Sequence, residues 1–186
     1  IITSYQNVPL AEINGFEIEY EQVFEAIMDS PNDLLVKFNY TETESEVIVN
    51  PGDTYINSIG TVVDAQNLLA NGRDTRLQGQ SDTIANFQIG LDNLQNQTQA
   101  TLIVNYVSDR VRARGIDVLP DIIEEPPLLV DFAFSKIYSY PEFELKLSLE
   151  LRNLLDEEYY ASMRNVAIYD QYDLGTSASL GFKISF

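Results

Sequence analysis

Apolar and polar residues alternate along this chain with a period of two over much of its length. The pattern is cleanest where Phe143, Leu145, Leu147, Leu149 and Leu151 are set against Glu144, Lys146, Ser148, Glu150 and Arg152. Side chains of a strand point alternately to its two faces, so such a run predicts a ribbon with one apolar and one polar face. Phe16, Ile18, Tyr20 and Phe24 share a face, interrupted by Gln22, while Glu17, Glu19, Glu21 and Glu25 take the other. Leu34, Val36, Phe38 and Tyr40 alternate with Lys37, Asn39 and Thr41, and Ala85, Phe87, Ile89 and Leu91 with Asn86, Gln88, Gly90 and Asp92. A run through Leu102, Val104 and Tyr106 is blurred by Ile103 and Val107. Leu128, Val130, Phe132 and Phe134 oppose Asp131, Ala133 and Ser135. The last residues, GTSASLGFKISF, put Ala178, Leu180, Phe182, Ile184 and Phe186 on one face. With a stub over Ile1–Gln6, these segments make eight predicted strands of about 10–14 residues, against a soluble mode of about 5–6.

The links between them differ in length in a regular way. Those at about 29–32, 92–98 and 139–142 are short and hold turn formers such as Pro31-Asn32, Asn93, Asn96 and Tyr140-Pro141. Those at about 43–83, 110–127 and 155–174 are long, and only the first link, 7–13, is of middling length. Strict alternation of short and long links predicts an up-and-down antiparallel sheet with turns at one end and loops at the other. Outer-membrane barrels are built this way. Tyr5, Tyr20, Tyr40, Tyr106 and Tyr138 fall near predicted strand ends, where interfacial aromatic girdles lie.

Composition narrows the chemistry. The chain has no Cys and no His, which excludes disulfides, thiolate metal sites, and any Ser-His-Asp triad or Cys-His dyad within it. No acid pair stands at a recognisable catalytic spacing, so no catalytic residue, metal ligand or cofactor is expected. A net charge of −18 disfavours nucleic acid as a partner. No apolar run reaches the length of a membrane helix, whereas a membrane strand needs only about 9–11 alternating residues. The first residues lack the regions of a signal peptide, and the chain is expected to be part of a larger protein.

The segment Leu151–Tyr160, LRNLLDEEYY, resembles a signature near the C-terminus of TonB-dependent outer-membrane receptors: Asn153, Leu154, Leu155 and Asp156, then acidic residues and Tyr159-Tyr160. The terminal strand is similar to the family's last strand. Phe182, Ile184 and Phe186 then correspond to the signal read by the barrel-assembly machinery. Asn14–Glu19, Leu77–Asn86 and Arg112–Pro127 fit further family elements in order, and the likeness is weakest over 43–76. The resemblance implies an all-β fold, an antiparallel up-and-down transmembrane β-barrel, of which residues 1–186 supply about the last eight of 22 strands. No plug domain is matched. It further implies a Gram-negative outer-membrane location, contact with lipopolysaccharide, energy from TonB acting through the plug, and uptake of an extracellular nutrient, a ferric siderophore first among the candidates. Two alternatives stand beside it: a complete eight-stranded outer-membrane barrel with a structural or adhesive role, and a soluble β-barrel ligand carrier.

A few side chains stand out individually. Arg110, Arg112 and Arg114 alternate and would share a strand face, where they could bind a carboxylate or phosphate of a ligand. Pairing with Glu124 and Glu125, or with lipopolysaccharide phosphates, is the favoured reading. Asp156, Glu157 and Glu158 point in different directions and are expected to form a turn, with Asn153 and Asp156 capping backbone N–H groups, rather than a metal site. Tyr159-Tyr160 is expected to be an interfacial anchor, and Asn71–Asp74 a turn. Lys136 falls on the apolar face, where it would snorkel towards headgroups.

Overall fold

In the computed structural model, residues 10–27, 31–57, 59–69, 74–115, 119–164 and 166–186 are described. The stub expected at Ile1–Gln6, Tyr5, and most of the turn expected at Asn71–Asp74 lie outside them.

The period-two segments form one antiparallel meander. Its strands are β1 (Leu10–Phe24), β2 (Asp33–Ile48), β5 (Thr83–Asn93), β6 (Thr98–Val107), β9 (Leu129–Ser139), β10 (Glu144–Arg152) and β13 (Ser177–Ser185), adjacent in that order. Short turns join them at one end and the three long links at the other, as the sequence pattern predicts. Because side-chain period and register agree, the apolar faces merge across all seven strands. One row of paired residues reads Gln22, Val36, Ile89, Leu102, Phe132, Leu151 and Ala178. The opposite face is polar and cross-linked. Lys37 pairs with Glu21 at 3.0 Å, and Asn39 donates to Glu17 at 2.5 Å.

That row is inclined. Gln22 lies two residues from the turn end of β1 and Ala178 seven from the turn end of β13, an offset of five over six strand steps. At about 3.4 Å per residue and about 4.8 Å between strands, the strands lean by roughly 30°, close to the inclination that barrel closure imposes. The sheet is nonetheless open: among the described residues β1 and β13 are its two edges and do not pair with each other. Seven of the eight expected strands form this sheet, the eighth, at Ile1–Gln6, lying outside the described residues, and no closed barrel is found among the described residues.

The long links hold further strands that the alternation did not reveal. β3 (Thr54–Ile56) and β4 (Val62–Asp64) make a small hairpin. β7 (Arg110–Ala113), β8 (Ile122–Glu125), β11 (Glu158–Met163) and β12 (Ile168–Asp173) form a four-stranded sheet in the order β12-β11-β8-β7. This rim sheet prolongs the wall beneath it. Asn105 pairs with Leu129 and Arg110 with Glu124, five residues on along one strand and five back along the other, so the register is unchanged. The Ser81–Arg110 bridge likewise keeps the register of Ile84–Val107. Between wall and rim stand Pro126 and Pro127, which have no N–H to donate and interrupt the ladder.

On the other side, Leu151–Ala178 is followed by Tyr159–Tyr172, eight residues forward but only six back. Two extra residues are therefore looped out at 153–157. An even number leaves the faces unchanged: Arg110, Glu124, Tyr159, Asp170 and Tyr172 continue the apolar face, and Asp109, Ile123, Glu125 and Ser162 continue the polar one.

Very little of the chain is core. Among the described residues the buried hydrophobic ones are Val47, Tyr55, Ala65, Val111 and Ala161, all beyond the apolar band at the long-loop end. Phe16, Leu180 and Phe182 are 54%, 65% and 67% exposed. The accessible surface is 12432 Å², against about 9,000 Å² for a folded monomer of this mass.

Candidate functional site

Most of the described features that can bind something lie at the long-loop end. Asn153 shapes the start of the last long link. It adopts a left-handed backbone (φ 52°), as does Asp156 (φ 55°), a conformation that Asn and Asp tolerate better than most residues. Its N–H donates to Asp131 Oδ1 (2.9 Å), and its Oδ1 accepts from the Glu157 N–H (3.1 Å). Its Nδ2 donates to the carbonyls of Glu157 (3.1 Å) and Gly175 (3.2 Å). Asn153 thus does the capping expected of it, and ties β10, β9 and the start of β13 together. Asp156 contributes through its backbone, donating to the Asn153 carbonyl at 3.0 Å.

The three arginines go to different places. Arg110 Nε donates to Glu124 at 2.8 Å, the pairing that the sequence suggests. Arg112 stands where the β7–β8 register shifts, and a bulge of this kind re-aims a side chain. Its Nη1 reaches the Tyr159 hydroxyl (2.8 Å) and Asp170 (3.2 Å), and its guanidinium lies over the rings of Tyr159 and Tyr169. Tyr169 sits at the second register shift, in β12 opposite Ala161/Ser162. Tyr159 stacks on Tyr172 with ring centres 4.7 Å apart. Arg114 lies past the end of β7 and turns away from this cluster to the carbonyls of Asp74 and Arg76 and to Asp121 (3.3 Å). A shared face for all three is therefore corrected: Arg110 and Arg112 share one, and Arg114 braces a loop.

On the other face lies a cleft of about 570 Å³ between the top of the wall and the rim. Asp74, Arg76, Asp109, Glu125, Ser162 and Arg164 are among its lining residues. Arg76 is its anchor. Its Nε and Nη2 grip Asp74 at 3.0 and 2.7 Å, and it reaches Asp82 (3.2 Å) and Asp109 (2.9 Å). Burial pushes the Asp74 carboxyl up, but the hydrogen bonds from Arg76 outweigh this and hold it below the usual range. Hydrogen bonding from Arg110 likewise lowers Glu124. Arg76, Asp109, Arg164, Tyr169 and Tyr172 were not singled out by the sequence pattern, because they lie in segments with no sustained alternation.

Elsewhere, Lys136 lies on the apolar face with its Nζ 5.2 Å from the ring centre of Tyr138, near the short-turn end. No group of three acidic residues able to hold a metal occurs among the described residues. No family model matches this chain, and neither a curated protein nor a solved structure shows significant similarity to it.

Proposed function

We propose that this chain forms wall and extracellular rim of an outer-membrane β-barrel of the TonB-dependent receptor type. The observation that carries the reading is the apolar face, interrupted by Gln22 and Lys136, that runs across seven long strands with no protein layer over it among the described residues. A soluble sandwich covers such a face with a second sheet. Here the second sheet extends the first end to end, and the apolar side chains are exposed on the edge strands β1 and β13 and half-buried on most of the inner strands. Lipid is the solvent that makes this arrangement stable. On β1, Phe16 to Phe24 spans eight residue steps, or about 27 Å at about 3.4 Å per residue, close to the outward apolar band of about 25 Å in such barrels. The polar face then lines the lumen, the short turns face the periplasm, and the long links face outside.

In this reading the two open edges pair with other strands of a larger barrel, and an N-terminal plug couples it to TonB. The inward cleft at the rim offers both charge signs to an incoming nutrient, for which a ferric siderophore is the first candidate by resemblance. Two observations weigh against the alternatives: among the described residues β1 and β13 do not pair with each other, and few hydrophobic side chains are buried.

Growth of a deletion strain under iron limitation, and on cobalamin or glycans, tests the transport reading. A ligand-specific defect is expected, restored by the full-length gene. Recovery of the full-length protein from the soluble fraction without detergent would defeat it.

A further inference from the structure

The cleft on the polar side of the rim carries both signs of charge, but the two signs are not equally free. Arg76 has five N–H donors, and all five are engaged: Nε by Asp74, Nη1 by Asp82 and the Asp109 carbonyl, and Nη2 by Asp74 and Asp109. Arg114 is held by the carbonyls of Asp74 and Arg76 and by Asp121. Arg164 is not free either. An anion entering here meets guanidinium groups that already have partners.

Acceptors, by contrast, are in surplus. Asp82 Oδ1 is buried with no hydrogen-bond partner. Asp109 meets Arg76 through Oδ2 alone, and its side chain is 48% exposed. Glu125, exposed and lining the cleft, enters no ion pair or side-chain hydrogen bond among the described residues. Asp74, Asp82, Asp109, Asp121 and Glu125 stand against Arg76, Arg114 and Arg164. Five acids to three bases leave two net negative charges.

Ser162 adds an observation independent of charge. It lines the same cleft and is only 2% exposed, yet its hydroxyl has no hydrogen-bond partner among the described residues. Buried hydroxyls are ordinarily paired, and leaving one unpaired is costly. Ser162 pairs with Ile123 and Tyr160 with Glu125, so Ser162 and Glu125 are diagonal neighbours on one face, within reach of a single small ligand. The wall below points the same way. On its polar face eight acids stand against four bases, with Glu17, Glu19 and Glu21 in a row on β1.

We propose that this cleft binds a small organic cation, whose ammonium or guanidinium N–H groups are shared among Glu125, Asp109 and Ser162. On the receptor reading, on which this inference rests, that cation is the nutrient, and a ferric siderophore qualifies only as a positively charged complex. The volume of about 570 Å³ lies within the range of small-molecule sites, about 300–1,000 Å³. A bare metal ion is a poorer occupant, because among the described residues no three acids converge to hold one.

The test titrates full-length protein in detergent with spermidine and with agmatine, and in separate arms with Mg²⁺ and with citrate. Saturable binding of at least one of the two amines, at one site per chain, is expected, and none of citrate. Glu125→Gln, which keeps the shape and removes the charge, should weaken it about tenfold or more, and Ser162→Ala about threefold or more. Glu44→Gln, which removes the same charge from the outward face of β2, should leave it unchanged. Glu125 is exposed, so Glu125→Gln remains the test if Ser162→Ala fails to fold. No saturable binding of either amine, equal binding of Mg²⁺, tighter binding of citrate, or the same loss from Glu44→Gln overturns the proposal. Fractionation examines the receptor reading separately. Amine binding that depends on Glu125, in a protein found outside the outer membrane, upholds the cation site and overturns the receptor reading beneath it.

Discussion

Asn153 and Arg76 show how much single side chains hold at the rim. Asn153 satisfies three backbone groups with one buried amide and occupies a left-handed conformation that alanine resists. Asn153→Ala is expected to cost about 2–4 kcal/mol, read as a lower unfolding midpoint of the full-length protein. Asn153→Gly, which relieves the backbone but not the lost bonds, should cost less. Arg76 joins three carboxylates, so Arg76→Lys, which keeps the charge but loses the planar fork, should loosen residues 74–82 in hydrogen exchange. The pH dependence follows from the acids. Asp74 and Glu124 have folded-state values depressed below their ordinary ones. The stability they add is complete above ordinary carboxyl values, about 4, and is lost as pH falls through the depressed values. Protection from hydrogen exchange at 74–82, 110–115 and 119–125, taken relative to intrinsic exchange rates, should therefore fall below about pH 4, and protection that stays unchanged between pH 6 and 3 would contradict this.

Among the elements, the meander strands were legible because burial on a single face writes period two into the sequence. The rim was not. β7 and β8 have four residues each, too few for a period to emerge, and the bulges that aim Arg112 and Tyr169 leave no mark in composition. The upper half of β2 was hidden for another reason. From Thr41 to Glu46 both faces are polar, so a strand above the apolar band reads as loop. Gly15 marks the same ladder: a Cβ there would stand 2.4 Å from the Glu42 carbonyl oxygen, so Gly15→Ala should disturb β1–β2 pairing. The two faces of a strand should also respond oppositely to charge. Leu149→Arg, on the apolar face of β10, is expected to cost about 2–4 kcal/mol and to lower the yield of heat-modifiable barrel. Ser148→Arg, on the polar face, should assemble nearly normally.

For the whole molecule, the proposed membrane reading follows from the large accessible surface and the two open edges among the described residues: on that reading the chain is stable only with lipid on one face and further strands at β1 and β13. Expressed alone in plain buffer it should aggregate through those edges, as light scattering would show. On the same reading, its inside and outside above the membrane depend on a count. The loop-out at 153–157 contains two extra residues, so the rim inherits the sidedness of the wall. Deleting one residue there would turn Tyr159 towards the lumen and Ser162 towards the headgroups, exchanging the two surfaces in β11 while the hydrogen-bonded ladder could still form. Length changes in this turn should then be tolerated in pairs and rejected singly, a rule of parity that a deletion and insertion series read by surface labelling would reveal.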